Sequence, residues 1–229
     1  MPKVDFDKHA DTYRESLNKC FAPFYGDDTF FDRYKIDCIK KWAAPKDGAY
    51  DFLDYGCGIG KITGPLAKEF PQSEVYGWDI SRESVRVGRE EYSGLKNVHF
   101  VDELPPEQKY DFIVVAMVFH HVAPEERAVA MSQIKKLLKS GGKVIIFEHN
   151  PLNPVTRHIV NNCPFDTDAK LILRNKFVKL AEGCGFEAVF KRYIVFFPWP
   201  AKFLRGLENL LRSVPMGAQY MLVLSKNKE

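Results

Sequence analysis

The sequence predicts an α/β fold built on a mostly parallel sheet with helices on both faces. Three observations predict it. Short apolar runs alternate with helical stretches along most of the chain. The first run, Asp51-Phe-Leu-Asp-Tyr55, opens into a loop with glycines at 56, 58 and 60. With 229 residues, 45% of them hydrophobic, the chain is long enough for one large α/β core.

The elements follow in order. Residues 5–25 are polar and aromatic and read as a helix and loop lying over a ligand. Residues 28–43 read as a helix with Phe31, Tyr34, Ile39 and Trp42 on its buried stripe. Strands are expected near 50–55, 74–79, 97–101, 110–117 and 142–148, with helices near 60–69, 81–92 and 124–139. Gly141-Gly142 is read as the turn that ends the last of these helices. Such alternation implies a parallel sheet with right-handed crossovers. The C-terminal part reads as a helix near 170–183, a strand near 186–197, a helix near 200–212 and a strand near 218–225. The two late strands suit an antiparallel hairpin closing the sheet edge.

The glycine loop carries the first functional signal. Alternate glycines let the backbone turn at positive φ and take Cβ atoms away from a strand tip where α/β sheets bind ligands. Dinucleotide enzymes carry a similar loop, but their third glycine falls three residues after the second, where Lys61 stands here. A tight turn with no ligand is the competing reading. The second strand, Glu74-Val-Tyr-Gly-Trp-Asp-Ile80, ends in Asp79, 25 positions after Asp54. That spacing suits a carboxylate accepting from two ribose hydroxyls. The competing reading of Asp79 is a helix N-cap.

These pieces together resemble the class I S-adenosylmethionine (SAM)-dependent methyltransferases. The matching segments are Asp54-Tyr-Gly-Cys-Gly-Ile-Gly60, Tyr76-Gly-Trp-Asp-Ile-Ser81, Asp111-Phe-Ile-Val-Val-Ala-Met-Val-Phe-His-His-Val122 and Leu137-Leu-Lys-Ser-Gly-Gly-Lys-Val-Ile-Ile-Phe-Glu148. The opening Phe6-Asp-Lys-His-Ala-Asp-Thr-Tyr13 resembles the entry segment of the small-molecule, ubiquinone-biosynthesis-like branch (types 11 and 12). The resemblance implies a Rossmann-like sheet of seven strands and a SAM site, with S-adenosylhomocysteine as the spent form. It places Asp54, Gly56, Cys57, Gly58 and Gly60 at the cofactor loop and Asp79 and Ile80 at the ribose side. It puts Asp102, or Glu103, at the adenine amino group, Ala116 and Met117 at the amino-acid end, and Tyr13 over the cofactor as a lid. Each has a plainer alternative: a solvated acid for Asp102, core filler for Met117, a surface aromatic for Tyr13.

An acceptor hydroxyl would need a base, and histidine suits that work. His120-His121 follow the fourth strand and Glu148-His149-Asn150 the fifth, so His121 and His149 are the candidate catalytic residues. Backbone hydrogen bonding near a helix start (His121) and holding the following loop (His149) are the structural alternatives. Some related O-methyltransferases hold a metal with Glu and His here. Their acidic pattern before this histidine is replaced by Met117-Val-Phe-His, and no metal site is expected.

One domain is expected: residues 1–45 as an N-terminal cap, 46–150 as the SAM-binding core, 150–170 as an acceptor-site insertion and 171–229 completing the sheet. Acceptor choice is assigned to the N-terminal Phe21, Phe24, Tyr25 and Phe30 and to the Asn150–Phe165 insertion, where Arg157 and His158 can meet an anionic group. The late Tyr193–Pro200 run and the Phe203–Val214 stretch are read as core, with a dimer face or an acceptor wall as alternatives. The predicted partner is a small, partly apolar acceptor, methylated by in-line displacement at oxygen, nitrogen or carbon. A homodimer stays open. Net charge is +3, from 33 basic and 30 acidic residues, which gives no ground for nucleic acid. Five cysteines without a CxxC pair read as separate thiols of a cytoplasmic enzyme. No apolar run reaches the ~20 residues of a membrane span. Three alternatives remain: a SAM-binding subunit without turnover, an RNA methyltransferase, and a nicotinamide oxidoreductase.

Overall fold

The computed structural model of the chain describes residues 4–16, 29–42, 44, 48–104, 106–197, 204 and 206–227. Cys20, Phe21, Phe24, Tyr25, Trp199 and Phe203 lie outside the described residues, as does the side chain of Trp42.

Seven strands form one sheet: β1 (Asp51–Tyr55), β2 (Glu74–Trp78), β3 (Val98–Val101), β4 (Tyr110–Ala116), β5 (Leu138–His149), β6 (Phe186–Ile194) and β7 (Gln219–Lys226). Their order is β3-β2-β1-β4-β5-β7-β6. The first five run parallel, and β7 is antiparallel to both β5 and β6. The helices are α1 (Thr29–Trp42), α2 (Thr63–Glu69), α3 (Arg82–Glu91), α4 (Arg127–Leu137), α5 (Pro154–Asn162), α6 (Arg174–Gly183) and the single turn α7 (Glu208–Leu211). A 3₁₀ helix at Phe6–Thr12 precedes them, and another covers Pro164–Asp166.

Burial on both sides explains the near-continuous apolar strands. Phe52, Val114, Ile145 and Phe147 face one cluster with α1, α2 and Ile159 of α5. Leu53, Ile113, Val115 and Ile146 face the other, with Met131 and Ile134 of α4 and Phe177 and Ala181 of α6. The chain reverses direction of growth between β1 and β4, and the crevice outside their carboxyl ends is where an open sheet of this kind binds ligands.

Two readings are corrected. Gly141-Gly142 does not end a helix: α4 stops at Leu137, β5 already begins at Leu138, and the register against β4 shifts between Tyr110 and Phe112. Gly141, at φ +75°, belongs to that bulged strand start. The insertion after β5 holds a helix that the sequence reading did not assign. Asn153 caps α5, its side chain accepting from the Thr156 N–H at 2.9 Å, and Pro154 takes the first helical turn. The helix expected near 200–212 falls partly outside the described residues, at 200–203 and 205, and among those described it includes α7.

Candidate active site

One cavity of about 490 Å³ lies at the carboxyl ends of β1, β2, β4 and β5. The loop after β1 forms its floor. Gly56, Gly58 and Gly60 all hold positive φ, at 80°, 52° and 82°. They are needed for different reasons. A Cβ on Gly56 would stand 2.5 Å from Val118 Cγ2, and one on Gly60 would stand 2.6 Å from Phe100 Cζ. A Cβ on Gly58 would meet nothing within 4 Å. The close approach expected of all three glycines is therefore supplied to the cavity by Gly58, while Gly56 and Gly60 are set by packing.

Asp79 is fixed by both strand tips. Its Oδ2 accepts from the Gly58 N–H at 2.8 Å and its Oδ1 from the Ser81 N–H at 2.8 Å. Ser81, not Asp79, caps α3 by accepting from Ser84 N–H. Burial lifts the Asp79 carboxyl above the usual range, against the pull of these N–H groups. Asp54 is deeper, and burial raises it to about 7 although the Thr63 hydroxyl donates to it at 2.7 Å. Ile80 stands at the cavity rim with 73% exposure. Lys35 of α1 reaches the cavity from the other side. It is buried, burial lowers its pKa, and among the described residues it has no hydrogen bond or ion pair.

The tips of β4 and β5 supply a histidine cluster. Met117 leaves β4 at φ +60°, a left-handed backbone that is costly for a side chain of this size. Glu148, at the end of β5, holds the turn that follows. Its Oε1 accepts from the N–H groups of Val118 at 3.1 Å and Phe119 at 2.7 Å, and its Oε2 lies 2.8 Å from His120 Nδ1. Burial works against charge on His120, but Glu148 and Asp166 outweigh it and hold the imidazole up to about 10. Glu148 and Asp166 are held down in turn, Asp166 to about 2. His121 Nδ1 lies 3.0 Å from Asp168 Oδ1. Burial and the neighbouring His120 charge lower His121 and push His149 down to about 4. His149 is buried in the cavity wall and, among the described residues, has no hydrogen bond.

The N-terminal segment closes one side. Val4 N–H donates to Asp168, Ser81 hydroxyl donates to Asp7, and Phe6 packs edge-on against His121 at 5.2 Å. Tyr13 lies against Phe165 at 4.8 Å. The Asn150–Phe165 insertion brings Cys163 and Phe165 into the wall, and Asp166, the next residue, joins them.

Most residues named from sequence therefore converge: Tyr13, Asp54, Gly56, Cys57, Gly58, Asp79, Ile80, Ala116, Met117, His121 and His149 all line the cavity. Gly60 shapes the loop without lining it. Asp102 and Glu103 do not line it either. Both are exposed, and Asp102 turns toward Arg89 at 3.2 Å. Arg157 and His158 sit on α5 outside the wall. Sequence reasoning missed Lys35, which reads as the polar face of an amphipathic helix. It also missed Asp166 and Asp168, which have no spacing relation to the histidines they meet. The one available signal was the Asn153-Pro154 helix start, which fixes where the chain re-enters the site.

Residues 53–144 match the family model for a methyltransferase domain. That match and the seven-stranded order agree with the resemblance to the class I SAM-dependent methyltransferases. It is 29% identical over 165 residues to malonyl-[acyl-carrier protein] O-methyltransferase 1 of Ilyobacter polytropus, covering 70% of this chain and 60% of that one. It is 32% identical over 114 residues to demethylmenaquinone methyltransferase of Staphylococcus aureus, covering 47% and 46%. The chain thus spans less than two thirds of the length of these curated relatives. In fold it is similar to a SAM-dependent methyltransferase of Thermotoga maritima described as a possible histamine N-methyltransferase, with a TM-score of 0.69, 17% identity and coverage of 97% and 98%.

Proposed function

We propose that this chain methylates a small, partly apolar organic acceptor with SAM in the cytoplasm. One observation carries the reading: a single cavity joins the bare Gly58 peptide and the fixed Asp79 carboxylate to the imidazole of His149, which has no hydrogen bond among the described residues. The polar groups fit SAM in kind. Asp79 retains lone pairs for vicinal hydroxyls beyond its two backbone partners. The exposed Ile80 beside it offers an apolar face to a purine. Lys35, a buried cation facing the cavity, suits a carboxylate. When bound, SAM supplies an electrophilic methyl carbon on a sulfonium.

The protein's own part is alignment and exclusion of water, and alignment can supply roughly 7–11 kcal/mol of a barrier. Phe6, Tyr13 and Phe165 wall the acceptor side with apolar surface. His149 is the proposed base rather than His121. A pKa of about 4 keeps it neutral at pH 7, and among the described residues no donor engages its lone pair, whereas His121 is engaged by Asp168. Among the described residues, no helix is long and apolar enough to cross a membrane.

The test is transfer of label from methyl-labelled SAM to a panel of phenols, hydroxy acids and amines. Labelled acceptor is the expected result. Firm SAM binding with no label transferred to any acceptor supports the subunit without turnover instead.

A further inference from the structure

We infer that His120, His121 and Asp166 form a site for one divalent metal ion of the zinc class, open to the cavity. The three side chains each offer a ligand atom, and these atoms lie within 4.8 Å of one another. Asp166 Oδ1 is 3.5 Å from His120 Nε2 and 3.5 Å from His121 Nε2. That separation is long for a charge-assisted hydrogen bond, which closes to about 2.7–2.9 Å. It is the edge expected of donors sharing one tetrahedral ion at about 2.1 Å, which stand about 3.4 Å apart.

An independent observation concerns the far side of each ring. His120 Nδ1 is held by Glu148 at 2.8 Å and His121 Nδ1 by Asp168 at 3.0 Å. Metal-binding histidines are oriented in this way, with a carboxylate behind each ring fixing Nε2 toward the ion. Two carboxylates placed behind two adjacent histidines, and a third shared between their Nε2 atoms, give a complete inner and outer arrangement. Two imidazoles and one carboxylate suit Zn²⁺ and neighbouring transition ions more than Mg²⁺ or Ca²⁺. All three ligands line the cavity, so the remaining coordination position faces it and takes water or an oxygen or nitrogen donor of a small molecule. This departs from the sequence expectation of no metal. The cause is local geometry: the turn after β4, held by Glu148, brings consecutive histidines to one side, and Asp166 arrives from a 3₁₀ turn 45 residues later.

The experiment is calorimetric titration of the chelator-treated chain with Zn²⁺ alone, followed by X-ray absorption of the loaded protein. Binding of one equivalent with two imidazole nitrogens and an oxygen at about 2.0–2.2 Å is expected. Asp166→Ala and His121→Ala should weaken binding at least 100-fold, and Asp168→Asn 10–100-fold. Sulfur scattering at about 2.3 Å places the ion on cysteine and overturns the inference. So does the absence of stoichiometric uptake by the unaltered chain, or unchanged affinity in folded Asp166→Ala and His121→Ala. A separate SAM titration of the same preparation keeps this result distinct from the methyltransferase reading.

Discussion

Asp79 is set before any ligand arrives, because a backbone N–H from each of two loops holds one of its oxygens. The neighbouring glycines divide into two kinds, and substitution should separate them. Gly58→Ala places a methyl in open space at φ +52°, a left-handed strain of about 1–2 kcal/mol. It should lower SAM affinity more than it lowers the melting temperature. Gly56→Ala drives a methyl into Val118 and should lower the melting temperature further than Gly58→Ala does. Paired thermal scans and SAM titrations check both. At the acceptor end, His149→Ala should reduce the methyl-transfer rate roughly 10²–10⁴-fold while leaving SAM affinity within about twofold. Single-turnover transfer and calorimetry read the two effects separately. At this scale the sequence revealed what local spacing can show. Asp54, Gly58 and Asp79 stand out because strand, loop and acid repeat in a short window. Lys35 and Asp166 do not, because only the folded chain brings α1 and the Pro164–Asp166 turn to the β-strand tips.

Among elements, β1 and β4 were readable because burial on both faces makes them continuous apolar runs, and the less buried β2 and β3 because acids, Asp79 and Asp102, follow them. The start of β5 was not, because Gly141-Gly142 reads as a helix stop while tertiary pairing with β4 makes it a strand bulge. Helix α5 was missed although its cap is plain in the sequence. Asn153→Ala should cost about 1 kcal/mol of stability. A denaturant midpoint that does not move would remove the cap from the account. Glu148→Ala tests the join of β5 to the turn after β4. It strips two N–H groups and a charged histidine of their buried acceptor, and a loss of about 3–5 kcal/mol is expected from equilibrium unfolding.

For the whole molecule, sheet order decides where chemistry happens. The reversal between β1 and β4 opens the crevice, and the N-terminal segment and the α5 region wall it. Crowding acids into that crevice has a consequence for stability. Buried Asp54 has a folded pKa of about 7, well above its unfolded value of about 4. Its contribution to stability is full below about pH 4, where both states are protonated. It is lost as pH rises through 7, because the unfolded chain releases the proton first. Relative to Asp54→Asn, the wild-type chain should therefore lose stability between pH 4 and 7. Unfolding of the two proteins across that range checks the sign, and parallel curves would remove Asp54 as the cause.

The most direct measurement is calorimetric titration of the purified chain and its Asp79→Ala variant with SAM and with S-adenosylhomocysteine. Saturable one-to-one binding of both ligands is predicted, weakened about 10–100-fold by the substitution, the range of a lost hydrogen bond to a charged group. Absence of binding to the unaltered chain, or equal affinity in the folded variant, would contradict the account.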